Sequence, residues 1–108
     1  MIVVNRFRAG DGPAASDELR RLLHDALDAL RARPGFVDGD VARNLDEPDL
    51  WLLTTRWQDV GSYRRALSSY DVKLAAVPTL SRAVDEPSAY GPVGRDDRLD
   101  EAIPRETR

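Results

Sequence analysis

Residues 34–57 read PGFVDGDVARNLDEPDLWLLTTRW, and this stretch decides the fold. Pro34 cannot continue a helix and Gly35 suits the left-handed backbone of a helix end, so a helix stops here. From Phe36 to Leu45 the residues alternate, with Val37, Gly39, Val41, Arg43 and Leu45 on one face and Asp38, Asp40, Ala42 and Asn44 on the other. That is the period of a β-strand. Asp46-Glu47-Pro48-Asp49 is a short polar link to a second strand, Leu50 to Trp57, and two strands so joined form an antiparallel hairpin. In the second strand Trp51, Leu53, Thr55 and Trp57 share one face, and Leu50, Leu52 and Thr54 the other. Both faces are partly apolar, which is more than one layer of helices requires. A second sheet is the simplest cover, so the sequence predicts a homodimer packed sheet against sheet.

Upstream, Leu19, Leu22, Leu23, Ala26, Leu27 and Leu30 fill an amphipathic-helix template, with Ser16 or Asp17 as the expected N-cap. Residues Ile2 to Arg8 form a first strand with Val3, Asn5 and Phe7 on one face. Downstream, Asp59 caps a second helical region in which Val60, Tyr63, Leu67, Tyr70, Leu74 and Val77 recur at helical spacing, with a break at Ser68-Ser69. Between Ala83 and Val93 a last strand is expected at a sheet edge, because Pro87, Gly91 and Pro92 interrupt it. The order β-α-β-β-α-β is the split βαβ, ferredoxin-like arrangement of an α+β domain with a four-stranded antiparallel sheet. Residues 1–93 are expected to form this domain. The charged residues 94–108 are expected to be a mobile tail.

A chain of 108 residues is one small domain. Its formal net charge of -3, alternating in sign along the chain, argues against nucleic-acid or anionic-membrane partners. The absence of cysteine excludes disulfides, thiolate metal sites and cysteine nucleophiles. No stretch approaches the length of a membrane span and no signal-peptide pattern opens the chain, so a cytoplasmic protein is expected. Lys73 is the only lysine among many arginines, the composition of a GC-rich bacterial genome. Acidic clusters in turns lack a supporting histidine, and phosphate-loop, dinucleotide and serine-hydrolase motifs are missing, so neither a metal nor a nucleotide cofactor is expected.

Pro34-Gly35-Phe36, the Trp51 to Trp57 strand leading to Asp59, the Tyr63 helix and the late Asp85-Glu86-Pro87 together resemble the antibiotic biosynthesis monooxygenase (ABM) domain of the dimeric α+β barrel superfamily, over about residues 2 to 91. The resemblance implies a pocket between sheet and helices, used in some members for cofactor-independent oxygenation of activated polycyclic molecules such as anthrones. A related branch binds and degrades haem. Asn5 and Trp57 match the asparagine and tryptophan of the haem-degrading branch, Trp57 and Tyr63 match the tryptophan and helix tyrosine of the anthrone-oxygenase branch, and Asn5 and Trp57 are taken as the candidate catalytic residues. Phe7, Leu53, Tyr63, Leu67, Leu74, Val77 and Arg43 become candidate substrate contacts. Val77 stands where the haem-degrading branch has its histidine ligand, and Leu53 where the anthrone-oxygenase branch has an asparagine.

The residues themselves leave alternatives open. Asn5 is either an amide donor to an oxyanion or bound dioxygen, or a structural hydrogen-bonding group. Trp57 either stacks a planar guest or fills the space under the helices. Arg43 and Arg56 are cleft cations or rim residues in surface ion pairs, and Trp51 belongs to the core or the dimer interface. Three functions follow: a cofactor-independent monooxygenase for an aromatic or polyketide-like molecule, a non-catalytic ligand-binding or dimerisation module, and a haem-binding protein.

Overall fold

The computed structural model describes residues 1–99. The elements run β1 (Ile2–Arg8), α1 (Pro13–Arg31), β2 (Phe36–Arg43), β3 (Leu50–Trp57), α2 (Val60–Ser68), α3 (Tyr70–Ala75), α4 (Val77–Leu80) and β4 (Ala89–Tyr90). All strand pairs are antiparallel, and the sheet order is β2-β3-β1-β4, the ferredoxin-like α+β arrangement that the sequence predicts. Its helices bury one face: Val3 and Phe7 of β1 and Trp51, Leu53, Thr55 and Trp57 of β3 meet Leu19, Leu23, Ala26, Leu27 and Leu30 of α1. On the other face, away from that core, Ile2, Val4, Leu50, Leu52 and Thr54 are half-buried.

Four local features depart from the sequence reading. Helix α1 begins at Pro13, one turn before the expected caps, because a proline is preset for the first helical position and Gly12, at φ 88°, turns the chain into it. Strand β2 carries a bulge: Phe36 pairs with Trp57 and Asp38 with Arg56, leaving Val37 as the extra residue, 55% exposed. Val37 therefore leaves the face it was expected to share with Gly39, and Phe36 turns inward in its place. The strand also stops at Arg43, since Asn44 Oδ1 accepts from the backbone N–H groups of Asp46 and Glu47 and starts the turn early. After α2 the chain is extended at Ser69, which rotates α3 so that Val72 is buried while Tyr70 and Leu74 point outward.

The expected last strand is reduced to Ala89–Tyr90 on the edge of β1. Two further backbone bonds, Val84 N–H to Arg6 O and Val4 N–H to Ser88 O, hold the segment before it. Where Pro87 interrupts the ladder, Arg6 makes a two-pronged ion pair with Glu86, Nε to Oε2 at 2.6 Å and Nη2 to Oε1 at 2.7 Å. Of the expected tail, residues 94–99 are exposed, and Gly94 N–H donates to Asp97 Oδ2. Residues 100–108 lie outside the described residues. No helix among the described residues is long and apolar enough to cross a membrane.

Gly35 seats the α1–β2 turn against α2. Its φ is 89°, and a Cβ there would overlap Ser62 Oγ and Cβ. Gly35→Ala is expected to destabilise the domain by about 2 kcal/mol or more, from left-handed strain and a forced shift of α2; chemical denaturation measures it. The hydrogen bond and charge of Arg6 hold the Glu86 carboxyl below its ordinary pKa. Its stabilising contribution is thus present above the unfolded-state value and disappears as pH falls through the folded one. The stability gap between wild type and Glu86→Gln should be constant near neutrality and close in acid; a gap that widens in acid contradicts the pairing.

Candidate functional site

Strand register sets the floor of the site. On the helix-facing side the sheet presents the cross-strand rows Arg43–Trp51–Phe7, Val41–Leu53–Asn5 and Gly39–Thr55–Val3, followed by Phe36–Trp57. Successive rows are about 7 Å apart along the strands. Asn5 and Trp57 therefore do not touch; they stand two rows, roughly 13 Å, apart, with Val3 and Thr55 between them. Arg43 lies one row further from Trp57 than Asn5 does.

Trp57 is 2% exposed and fixed from several sides. Its Nε1–H donates to Thr55 Oγ1 at 2.9 Å. Phe36 meets it edge-on, centroids 5.3 Å apart at 89°, and the Tyr63 ring lies 5.5 Å away at 53°. Tyr63, on the first turns of α2, is half-buried, and burial raises its phenol pKa above the ordinary value, so the hydroxyl stays protonated at neutral pH. Asp59 places that helix by accepting from Ser62 N–H at 2.7 Å, a bond that also lowers its carboxyl pKa.

Asn5 is half-buried between Val3 and Phe7; among the described residues the buried side-chain atoms without a hydrogen-bond partner are Arg33 Nε and Trp51 Nε1, and the Asn5 amide is not one of them. Asn5 is the polar member of the helix-facing side of β1, an amide with two donors and an acceptor between two buried apolar residues. Phe7 and Leu53 are fully buried and form floor rather than open wall. Leu67 of α2 and Val77 of α4 are half-buried against the same core. The sequence candidates Asn5, Phe7, Leu53, Trp57, Tyr63, Leu67 and Val77 thus share one layer between sheet and helices.

Two candidates fall outside it. Leu74 is 66% exposed on the outer side of α3, a consequence of the Ser69 break. Arg43 is exposed at the hairpin end, its guanidinium 5.4 Å from the Trp51 ring and its Nε donating to Pro48 O at 2.6 Å. There it walls a concavity of about 330 Å³ with Gly10, Gly12, Ser16 and Asp49. Another concavity, about 360 Å³, lies over Arg6, Ala42, Leu50 and Leu52. Neither includes Asn5, Trp57 or Tyr63. Arg56 makes a loose surface pair with Asp38 at 3.7 Å, and Trp51 is a core residue.

Sequence reasoning missed Thr55 and Phe36 as the partners that hold Trp57. The spacing of Thr55, two residues before Trp57 on one strand face, was the available signal; the bulge that brings in Phe36 had none. Among the described residues no three of His, Cys, Asp and Glu converge as a ligand set, and His24 is exposed on α1.

No curated protein matches the chain. Among solved structures, SnoaB, a cofactor-independent oxygenase from Streptomyces nogalater, is 25% identical over 93% of this chain and 96% of its own, with a TM-score of 0.64. Rv0793 from Mycobacterium tuberculosis superposes with a TM-score of 0.66 at 20% identity, covering 89% of this chain and 97% of its own. A conserved protein from Methanosarcina mazei Go1 gives 0.63 at 23% identity, covering 82% and 84%. The last two agree in fold alone. The family model for antibiotic biosynthesis monooxygenases matches residues 1–77, from β1 to the first residue of α4, which spans the sheet rows and the helices just described. With that match over most of its length, the chain belongs to the antibiotic biosynthesis monooxygenase family.

Proposed function

We propose that the protein is a cofactor-independent monooxygenase acting on an aromatic or polyketide-like small molecule held between the sheet and α2–α4, with Asn5 and Trp57 at opposite ends of the site. The half-buried amide of Asn5 between Val3 and Phe7 carries this reading, because a donor there can serve an oxyanion or bound oxygen. Family membership supports the reaction class. In the proposed chemistry an acidic CH2 group of the substrate gives a proton to water, and its carbanion reduces dioxygen and bonds to it as a peroxide. The peroxide loses water to leave a carbonyl, so one oxygen atom stays in the product and the other leaves as water. The protein supplies position, exclusion of water and hydrogen bonds from Asn5 and the protonated Tyr63. The layer is packed by its own side chains, so the guest enters by displacing the half-buried Tyr63, Leu67 and Val77.

Oxygen uptake with an anthrone tests the site. Asn5→Ala should lower the rate by about 100-fold, the usual cost of one oxyanion donor, and Trp57→Phe should lower it less. Unchanged rates in both variants remove the assignment.

A second reading, a non-catalytic ligand-binding module, is favoured by one observation: Trp57 has already given its N–H to Thr55, which leaves few polar groups for chemistry. Binding of the anthrone with quenched tryptophan fluorescence and no oxygen uptake would select it. Haem is disfavoured by the same structure, since Val77 cannot ligate iron and His24 is exposed on α1; a haemin titration should give no shifted Soret band.

The half-buried apolar face, Ile2, Val4, Leu50 and Leu52, is assigned to a second copy of the chain. Light scattering should give a dimer at micromolar concentration, and Leu52→Arg a monomer. A wild-type monomer at that concentration overturns the dimer.

A further inference from the structure

We propose that Thr55 is the positioning residue of this site: its hydroxyl fixes the Trp57 indole and takes up the ring's hydrogen-bond donor, so that Trp57 meets a guest with its ring alone. The inference rests on the reading of Trp57 as a wall of the site.

Thr55 and Trp57 are two residues apart on one strand, so their side chains leave the same face and an indole leaning back along the strand reaches the hydroxyl. The bond is 2.9 Å long between residues 3% and 2% exposed, where water is not available as a substitute acceptor. Thr55 cannot readily turn its hydroxyl elsewhere. Its side chain is β-branched and stiff at χ1. Its cross-strand neighbours are Gly39 and Val3. A Cβ added at Gly39 would come within 3.1 Å of Thr55 Cγ2 and 2.9 Å of Leu27 Cδ1, so the methyl group occupies the space that glycine leaves, and the oxygen is turned to the indole.

Trp51 provides the contrast within the same strand. It lies on the same face and is buried, yet its Nε1 has no hydrogen-bond partner among the described residues. Only one of the two indoles is therefore held through its nitrogen, and it is the one in contact with Tyr63.

The consequence for recognition is directional. With the Trp57 N–H spent, the donors of this face that a guest can still meet are the Asn5 amide, the Tyr63 hydroxyl and the unpartnered Trp51 Nε1–H, and Trp57 adds none. The substrate class this fits is a fused aromatic whose oxygen substituents face Asn5 and Tyr63 and whose unsubstituted ring edge faces Trp57.

Two tryptophans give two indole N–H resonances in a ¹⁵N-labelled sample of the ligand-free protein, and Trp57→Phe assigns them by loss of one. Thr55→Val, which keeps the shape and removes the acceptor, should move the Trp57 resonance upfield and leave that of Trp51 in place, and Thr55→Ser should restore it. Trp57 unmoved in folded Thr55→Val overturns the proposal. Should the valine variant not fold, the wild type decides: a shallower temperature dependence of the Trp57 indole proton than of the Trp51 one supports the bond, and equal slopes overturn it. The measurement uses no ligand, so it fails or succeeds independently of the oxygenase reading.

Discussion

Strand β3 is paired on both sides and must satisfy two surfaces at once. Trp51, Leu53, Thr55 and Trp57 are buried under the helices, while Leu50, Leu52 and Thr54 on the reverse side are half-buried. Burial of two indoles and a leucine on one face stabilises the layer at about 25 cal/mol for each Å² of apolar surface removed from water. The other elements are fitted to that face. Gly39 lacks a side chain where Leu27 and Thr55 need the room, Gly35 lets the α1–β2 turn close on Ser62, and the Val37 bulge brings Phe36 onto Trp57. The reverse face sets the second requirement, since half-buried aliphatic residues on an open sheet are satisfied by another apolar surface.

The proposed function draws on the same layer. A core made only of aliphatic and aromatic side chains would be stable and inert. Here the half-buried Asn5 of β1 and Tyr63 at the head of α2 bring polar groups to its margin, beside the buried Thr55, Ser62 and Thr79. The Trp57 nitrogen is satisfied by Thr55. A site built this way offers shape, dryness and a few directed donors. It suits a substrate that carries its own reducing electrons, as the proposed oxygenation requires.

Much of the fold was legible because its signals are periodic. The leucines of α1 and the alternation in β1 and β3 gave element type and order, and the four-residue link after Leu45 gave the hairpin. What was not legible is aperiodic or long-range. A bulge at Val37 leaves no mark in an alternating sequence, and although the break at Ser68-Ser69 is legible, the rotation that its extended backbone gives to α3, with Tyr70 and Leu74 turned outward, is not. The candidate site divides along the same line. That Asn5 and Trp57 lie on the helix-facing side of the sheet was legible from the alternation in β1 and β3. That Arg43 and Leu74 lie elsewhere, and that Thr55 holds Trp57, depends on register and rotamer, which no single sequence prints.

The central claim is that a planar aromatic guest occupies the layer between the sheet and α2–α4. Chemical-shift mapping with an anthrone tests it most directly. The account predicts shifts at the Asn5 side-chain amide, the Trp57 indole and the backbone around Tyr63, Leu67 and Val77. Shifts confined to Ala42, Leu50 and Leu52 on the opposite face of the sheet would contradict it.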